Sequence, residues 1–265
     1  MSAVTDYITR LQSYEEYAFS WEELTTNCDT PETTLKKDLT RLARRGDILN
    51  LRKGFYLILP PRYRNLGKLS LQLYVDKLFS YLDKPYYVAF YSAAGLHGAS
   101  HQKVQQDYVV TTSPALMNVK KKNIAIRFFK VTHWPQKNIQ QRKSDAGMFN
   151  VSSPTLTAVD LIYHQTKLGG LNRMLANLEE LAEEITVQDI ADLLSWYPHK
   201  SAIQRFGFIL EELQGKTERT EFIFQNLKEN NFYPVLLSPK SNQRPGSTGN
   251  RWKVDVNLKL ESDLI

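Results

Sequence analysis

The order of helix and strand signals near the N-terminus constrains the fold of this chain more than any other feature. Ser20 followed by Glu23 forms a capping box, which predicts the start of a helix. Thr30-Pro31 predicts the start of the next helix, and Gly46 predicts its end, because glycine readily adopts the positive φ of a helix C-terminus. Two short apolar runs then flank Arg52–Gly54, which predicts a β-hairpin. This is the order of a winged helix-turn-helix.

The last of these predicted helices has two chemically different faces. Leu35, Leu39 and Leu42 fall together on a helical wheel, and the opposite side is basic. Between positions 33 and 64 there are nine basic residues and two acidic ones. A basic helix face in this motif is typical of a helix that enters the major groove of double-stranded DNA, although a solvated face or a protein-binding winged helix are alternatives. The residues that we predict to contact DNA are Thr33, Lys36, Lys37, Thr40, Arg41, Arg44, Arg45, Arg52 and Lys53.

The rest of the chain changes from strand signals to helix signals. Its length of 265 residues predicts two domains. β-prone runs follow Lys84-Pro85, and the apolar period becomes helical after Ser153-Pro154. We therefore predict an α+β protein, with a winged helix-turn-helix at residues 1–62. A larger mixed α/β domain with a helical C-terminal half is predicted at residues 66–265.

Composition excludes several classes of protein. One cysteine rules out an internal disulfide and a cysteine-rich zinc site. No apolar run approaches the roughly 18–20 residues of a membrane helix, and the N-terminus lacks a signal-peptide core, so we expect a cytoplasmic protein.

The search for catalytic motifs gives only weak candidates. His97 and His101 are four residues apart, as metal ligands on a helix can be, but no glutamate lies between them. Asp255 and Lys259 faintly resemble a nuclease pair, although the alternation around them is that of an exposed strand. We predict a protein that is not an enzyme and that needs no metal and no cofactor.

Three segments resemble the AbiEi family of antitoxins, which belong to type IV toxin–antitoxin (abortive infection) systems. Ile48–Tyr56 resembles the wing of that family, and Tyr86–Gly98 resembles the segment that opens its second domain. Ser153–Leu161 is similar to the start of its next helical part. The resemblance extends from about Tyr7 to Leu213 and adds little after that.

The resemblance implies an antitoxin that regulates its own expression. The winged helix would bind inverted repeats in the promoter, as a dimer or as two cooperating monomers. The larger domain would counteract a nucleotidyltransferase-like toxin, without requiring a stable complex. A winged-helix regulator with a ligand-sensing or dimerising domain, and a DNA-targeted nuclease, remain alternatives. The candidate antitoxin surface, for which a solvated basic loop is the alternative interpretation, comprises Lys120, Lys121, Lys122, Lys130, Lys137, Arg142 and Lys143.

Overall fold

Helices and short strands alternate at the N-terminus of the computed structural model, which describes residues 2–64, 66–99, 105–241 and 243–261. The elements are α1 (Ala3–Ser13), β1 (Ala18–Ser20), α2 (Trp21–Asn27), α3 (Glu32–Arg45), β2 (Ile48–Arg52) and β3 (Phe55–Ile58). The three strands form an antiparallel sheet in the order β1-β3-β2. This order of elements is compatible with the predicted winged helix-turn-helix. Strand β1 was not predicted, because its three residues become a strand only through pairing with β3.

The local signals in the sequence account for the helix ends. The Glu23 backbone N–H donates to the Ser20 hydroxyl at 3.0 Å, and the Ser20 N–H donates to the Glu23 carboxylate at 2.8 Å. Gly46 ends α3 with φ +78°. The apolar faces of the three helices enclose a core that includes the fully buried Leu24 and Leu35.

A mixed sheet follows the winged helix. The intervening elements are α4 (Pro61–Arg64), a 3₁₀ turn (Leu71–Leu73), α5 (Val75–Tyr81) and α6 (Phe90–Leu96). The strands are β4 (Tyr86–Val88), β5 (Asp107–Thr112), β6 (Val119–Lys121), β7 (Ile124–Val131), β8 (Ile139–Ser144) and β9 (Gly147–Ser152). Their order in the sheet is β6-β7-β5-β4-β9-β8, so that β6 and β8 are the edge strands. The sequence did not predict β8, because a polar edge strand lacks a marked apolar alternation.

Helices dominate the C-terminal half, as predicted. They are α7 (Pro154–Tyr163), α8 (Gln165–Leu168), α9 (Leu171–Glu184), α10 (Val187–Leu194), α11 (Lys200–Gln214) and α12 (Glu218–Glu229). Two short parallel strands, β10 (Val235–Leu236) and β11 (Val254–Asp255), complete the described elements. Helix α7 is the central one, because its residues from Pro154 to Ile162 are all buried. The predicted α+β fold class is confirmed.

The chain divides into two compact units. The first contains Met1–Tyr87, Gln105–Thr132 and Gln141–Asn150, and therefore the winged helix and most of the mixed sheet. The second contains Val88–Val104, His133–Gln140 and Val151–Ile265. This division does not coincide with the predicted domains 1–62 and 66–265, which stay a prediction. None of the helices in the described part of the chain combines the length and apolar character that a membrane crossing requires.

Candidate nucleic-acid interface

The outward face of α3 is polar and basic along its whole length. Leu35, Leu39 and Leu42 are 0%, 5% and 4% exposed and anchor the opposite face in the core. The exposed positions on this helix include seven of the nine residues predicted to contact DNA: Thr33, Lys36, Lys37, Thr40, Arg41, Arg44 and Arg45. The last six of them line one shallow depression. The predicted set on α3 is thus brought together on one continuous surface.

Two cations on this face have acidic partners within the helix. Lys36 lies 2.8 Å from the Glu32 carboxylate, with both side chains 62% exposed, and its ammonium is 5.1 Å from the centroid of the Trp21 ring. Arg41 lies 3.0 Å from the Asp38 carboxylate. Exposed pairs of this kind contribute about 0–1 kcal/mol, so they can open at small cost when a phosphate approaches.

Lys37 and Arg44 differ from these two cations. Within the described residues, neither side chain makes an ion pair or a hydrogen bond. Seven residues of helix place them on the same side, about 10.5 Å apart along the axis. Both charges are therefore available to an anion without the loss of an internal partner.

Further basic groups surround the C-terminal end of α3. Arg45 lies 3.1 Å from the Asp47 carboxylate, which Arg64 also contacts. A Cβ at Gly46 would lie 3.8 Å from the Lys122 ammonium and 3.8 Å from the Arg64 side chain. Cations are favoured at this end because the helix dipole is negative there. Lys122, which the sequence assigned to the antitoxin surface, thus lies beside the end of the predicted recognition helix.

Residues at the tip of the β2–β3 hairpin contact other parts of the first unit. Arg52 donates to the Met117 carbonyl at 2.5 Å, and its guanidinium carbon lies 5.3 Å from the centroid of the Phe128 ring. Burial lowers the pKa of Arg52. Packing against the β6–β7 region thus engages the Arg52 side chain, and its predicted contact with DNA stays a prediction. The Lys53 side chain is exposed, while its carbonyl accepts a hydrogen bond from the Tyr81 hydroxyl at 3.0 Å.

The seven residues of the predicted antitoxin surface lie on several different elements. Lys120 and Lys121 lie on the edge strand β6, and Lys130 lies near the end of β7. Arg142 and Lys143 lie on β8, at the other edge of the sheet. Lys137 belongs to the second unit and pairs with Asp192 at 2.7 Å. Whether these residues act in antitoxicity stays a prediction.

The weak catalytic candidates have structural partners. The Nε2 atom of His97 lies 2.7 Å from the Ser152 carbonyl oxygen, while His101 lies outside the described residues. Asp255 is 7% exposed and accepts hydrogen bonds from the backbone N–H groups of Gly246 and Ser247, at 3.3 and 2.9 Å. The described part of the chain contains no group of three or more His, Cys, Asp or Glu side chains that could hold a metal.

A partly buried polar network around Asn138 had no signal in the sequence. The Asn138 amide donates to the Asp189 carboxylate at 2.6 Å and accepts from the Trp196 indole at 2.8 Å. Asp189 also accepts from the Thr155 backbone N–H at 2.9 Å, which ties α10 to the start of α7. Sequence reasoning missed it because its members are far apart in the chain.

The chain is similar to a known protein family and to a solved structure. Residues 87–212 match the family model described as the AbiEi antitoxin C-terminal domain. The fold resembles the crystal structure of the RV2827C protein from Mycobacterium tuberculosis, with a TM-score of 0.67 and 14% identity over 94% of this chain and 89% of that one. At that identity the likeness concerns the fold alone. No curated protein matches the chain.

Proposed function

We propose, from the premise that the chain belongs to the AbiEi antitoxin family, that it is an antitoxin that represses its own promoter. The family match supports the antitoxin role in a toxin–antitoxin system. The proposal goes further in two respects. The winged helix binds inverted repeats in double-stranded promoter DNA, and the rest of the chain counteracts a nucleotidyltransferase-like toxin without requiring a stable complex.

The observation that carries the DNA-binding part is the pair of unpartnered cations on α3. Lys37 and Arg44 share the outward face of a helix whose other face is fixed in the core. A helix that is merely solvated tends to alternate acidic and basic side chains, whereas this face keeps two charges without an acid beside them. Phosphate contacts of such cations provide most of the affinity for DNA.

Lys122 and Arg64 support a wider DNA surface than the helix alone. Both lie within a few ångströms of Gly46, where α3 ends. A duplex whose major groove receives α3 has phosphates on both sides of the groove, and basic groups at the helix end can reach one of those backbones. We therefore assign Lys122 to the DNA surface rather than to antitoxicity. Arg52 and Lys53 stay candidates at the hairpin tip, and the Arg52 guanidinium would have to leave the Met117 carbonyl to reach a phosphate.

The test separates repression from antitoxicity in the full-length protein. The chain is co-expressed with the product of the neighbouring gene, and a reporter measures transcription from the upstream promoter. The wild type should restore growth and repress the reporter. The double variant Lys37→Ala/Arg44→Ala should lose repression and still restore growth, because its core is unchanged.

Lys228→Ala is the matched control, since it removes one exposed helical lysine from α12. It should behave as the wild type in both assays. An absence of toxicity from the neighbouring product would refute the antitoxin part. Full repression by the double variant would refute the DNA surface. If the two gene products co-purify as a stable complex and growth rescue is lost whenever that complex is disrupted, the proposal that antitoxicity needs no stable complex is refuted.

A further inference from the structure

Thr40 is the uncharged member of the set of described residues that line the depression on α3. Lys36, Lys37 and Arg44 are three or four residues from it and therefore lie next to it on the helix surface, and Arg41 lines the same depression. Long cationic side chains can extend sideways to phosphates at the rims of a groove. A short side chain between them would let the helix approach the base edges, so Thr40 is the position in this depression best suited to meet a base.

The hydrogen bonding of Thr40 restricts what it can recognise. Its hydroxyl donates to the Lys36 carbonyl at 2.8 Å, one helical turn earlier. A threonine hydroxyl has a single proton, so Thr40 has no donor left for a base. In the major groove, guanine N7 and O6 and thymine O4 all require a donor. The groups that the exposed Thr40 can still offer to a base are its methyl group and an oxygen that can only accept.

We propose, on the basis of the DNA-binding function proposed above, that Thr40 determines sequence specificity by packing its methyl group against the C5-methyl of a thymine. Thymine carries a methyl group in the major groove, and an apolar contact from threonine is a known way of recognising it. The burial of one such group corresponds to a preference of about four-fold. Thr40 therefore contributes specificity, whereas its basic neighbours contribute affinity.

The experiment uses the full-length protein and the duplex upstream of its own coding sequence. The duplex is amplified with dTTP or with dUTP, so that the second product lacks only the thymine methyl groups. A scrambled duplex of equal length is the reference for non-specific binding. Thr40→Val keeps a methyl group and removes the hydroxyl, while Thr40→Ser does the reverse, and both changes are at an exposed position.

The expected result is a difference between the two variants. The wild type and Thr40→Val should prefer the thymine duplex over the uracil duplex by a factor about four times larger than Thr40→Ser does. Comparing these ratios cancels thymine contacts made elsewhere. An equal ratio for Thr40→Ser and the wild type would overturn the inference and leave the proposed function intact. A wild type that binds the upstream and scrambled duplexes equally would refute both.

Discussion

Each unpartnered cation that is removed should reduce the salt dependence of DNA binding by a fixed amount. The perturbations are Lys37→Ala, Arg44→Ala and Lys122→Ala, made singly and together. Lys37 and Arg44 have no acidic partner among the described residues, and Lys122 lies beside the end of α3. Each of the three can therefore give one phosphate contact without breaking an ion pair first.

The magnitude follows from counterion release. Each phosphate contact contributes about −0.9 to the slope of log K against log salt concentration. Every single variant should thus make the slope shallower by about 0.9, and the triple variant by about 2.7. Between 50 and 200 mM salt, the slope change of about 0.9 in a single variant corresponds to a change of about 3.5-fold in affinity relative to the wild type. The affinity of each variant should therefore differ more from the wild type at 50 mM than at 200 mM.

The assay is fluorescence anisotropy with a labelled duplex from the upstream region, titrated at four salt concentrations. Lys228→Ala carries the same change in net charge and should leave the slope unaltered. Slopes equal to the wild-type slope in Lys37→Ala and Arg44→Ala would refute the assignment of the α3 face. If only Lys122→Ala kept the wild-type slope, the β6–β7 turn would not belong to the DNA surface.

Two further predictions concern the second unit. Gly207→Ala should lower the free energy of unfolding by at least about 1–3 kcal/mol, because the new Cβ would overlap the buried Trp252 ring. Chemical denaturation measures this loss. The control is Gly249→Ala, which should be near neutral because no described atom beyond its chain neighbours would lie within 4 Å of the new Cβ. Burial and the neighbouring His133 lower the pKa of His199 in the folded protein. The His199 imidazole therefore binds a proton more readily in the unfolded chain, so the free energy of unfolding should fall as the pH drops below about 6.5. His199→Gln should reduce the fall in melting temperature between pH 7.5 and 5.5; an unchanged fall would remove His199 as its cause.

Local signals in the sequence predicted the elements of the winged helix because residues close together in the chain determine where its helices begin and end. The Ser20–Glu23 capping box and the left-handed Gly46 are examples, since each involves residues no more than a few positions apart. The leucine stripe of α3 is another, because helical spacing alone places its members on one face. These features required no knowledge of the rest of the fold.

Contacts between distant parts of the chain could not be predicted in the same way. Arg52 is 65 residues from Met117, whose carbonyl it contacts, and nothing near Arg52 in the sequence indicates that partner. The position of Lys122 beside Gly46 depends equally on how the mixed sheet packs within the first unit. Charge identified both residues as candidates, but only the packing shows which of them faces solvent near α3.

The segments that carry the family resemblance are mostly buried, and this separates evidence for fold from evidence for mechanism. In the second segment Tyr86–Tyr91 is buried, and in the third the same holds from Ser153 to Leu161. Residues of this kind specify packing, so a match to them supports family membership without identifying a contact surface. Apart from the hairpin tip in the first segment, the groups proposed to meet DNA lie on exposed positions outside those segments. Substitutions on α3 and at Lys122 therefore test the mechanism directly, whereas substitutions in the shared segments would mainly test whether the protein folds.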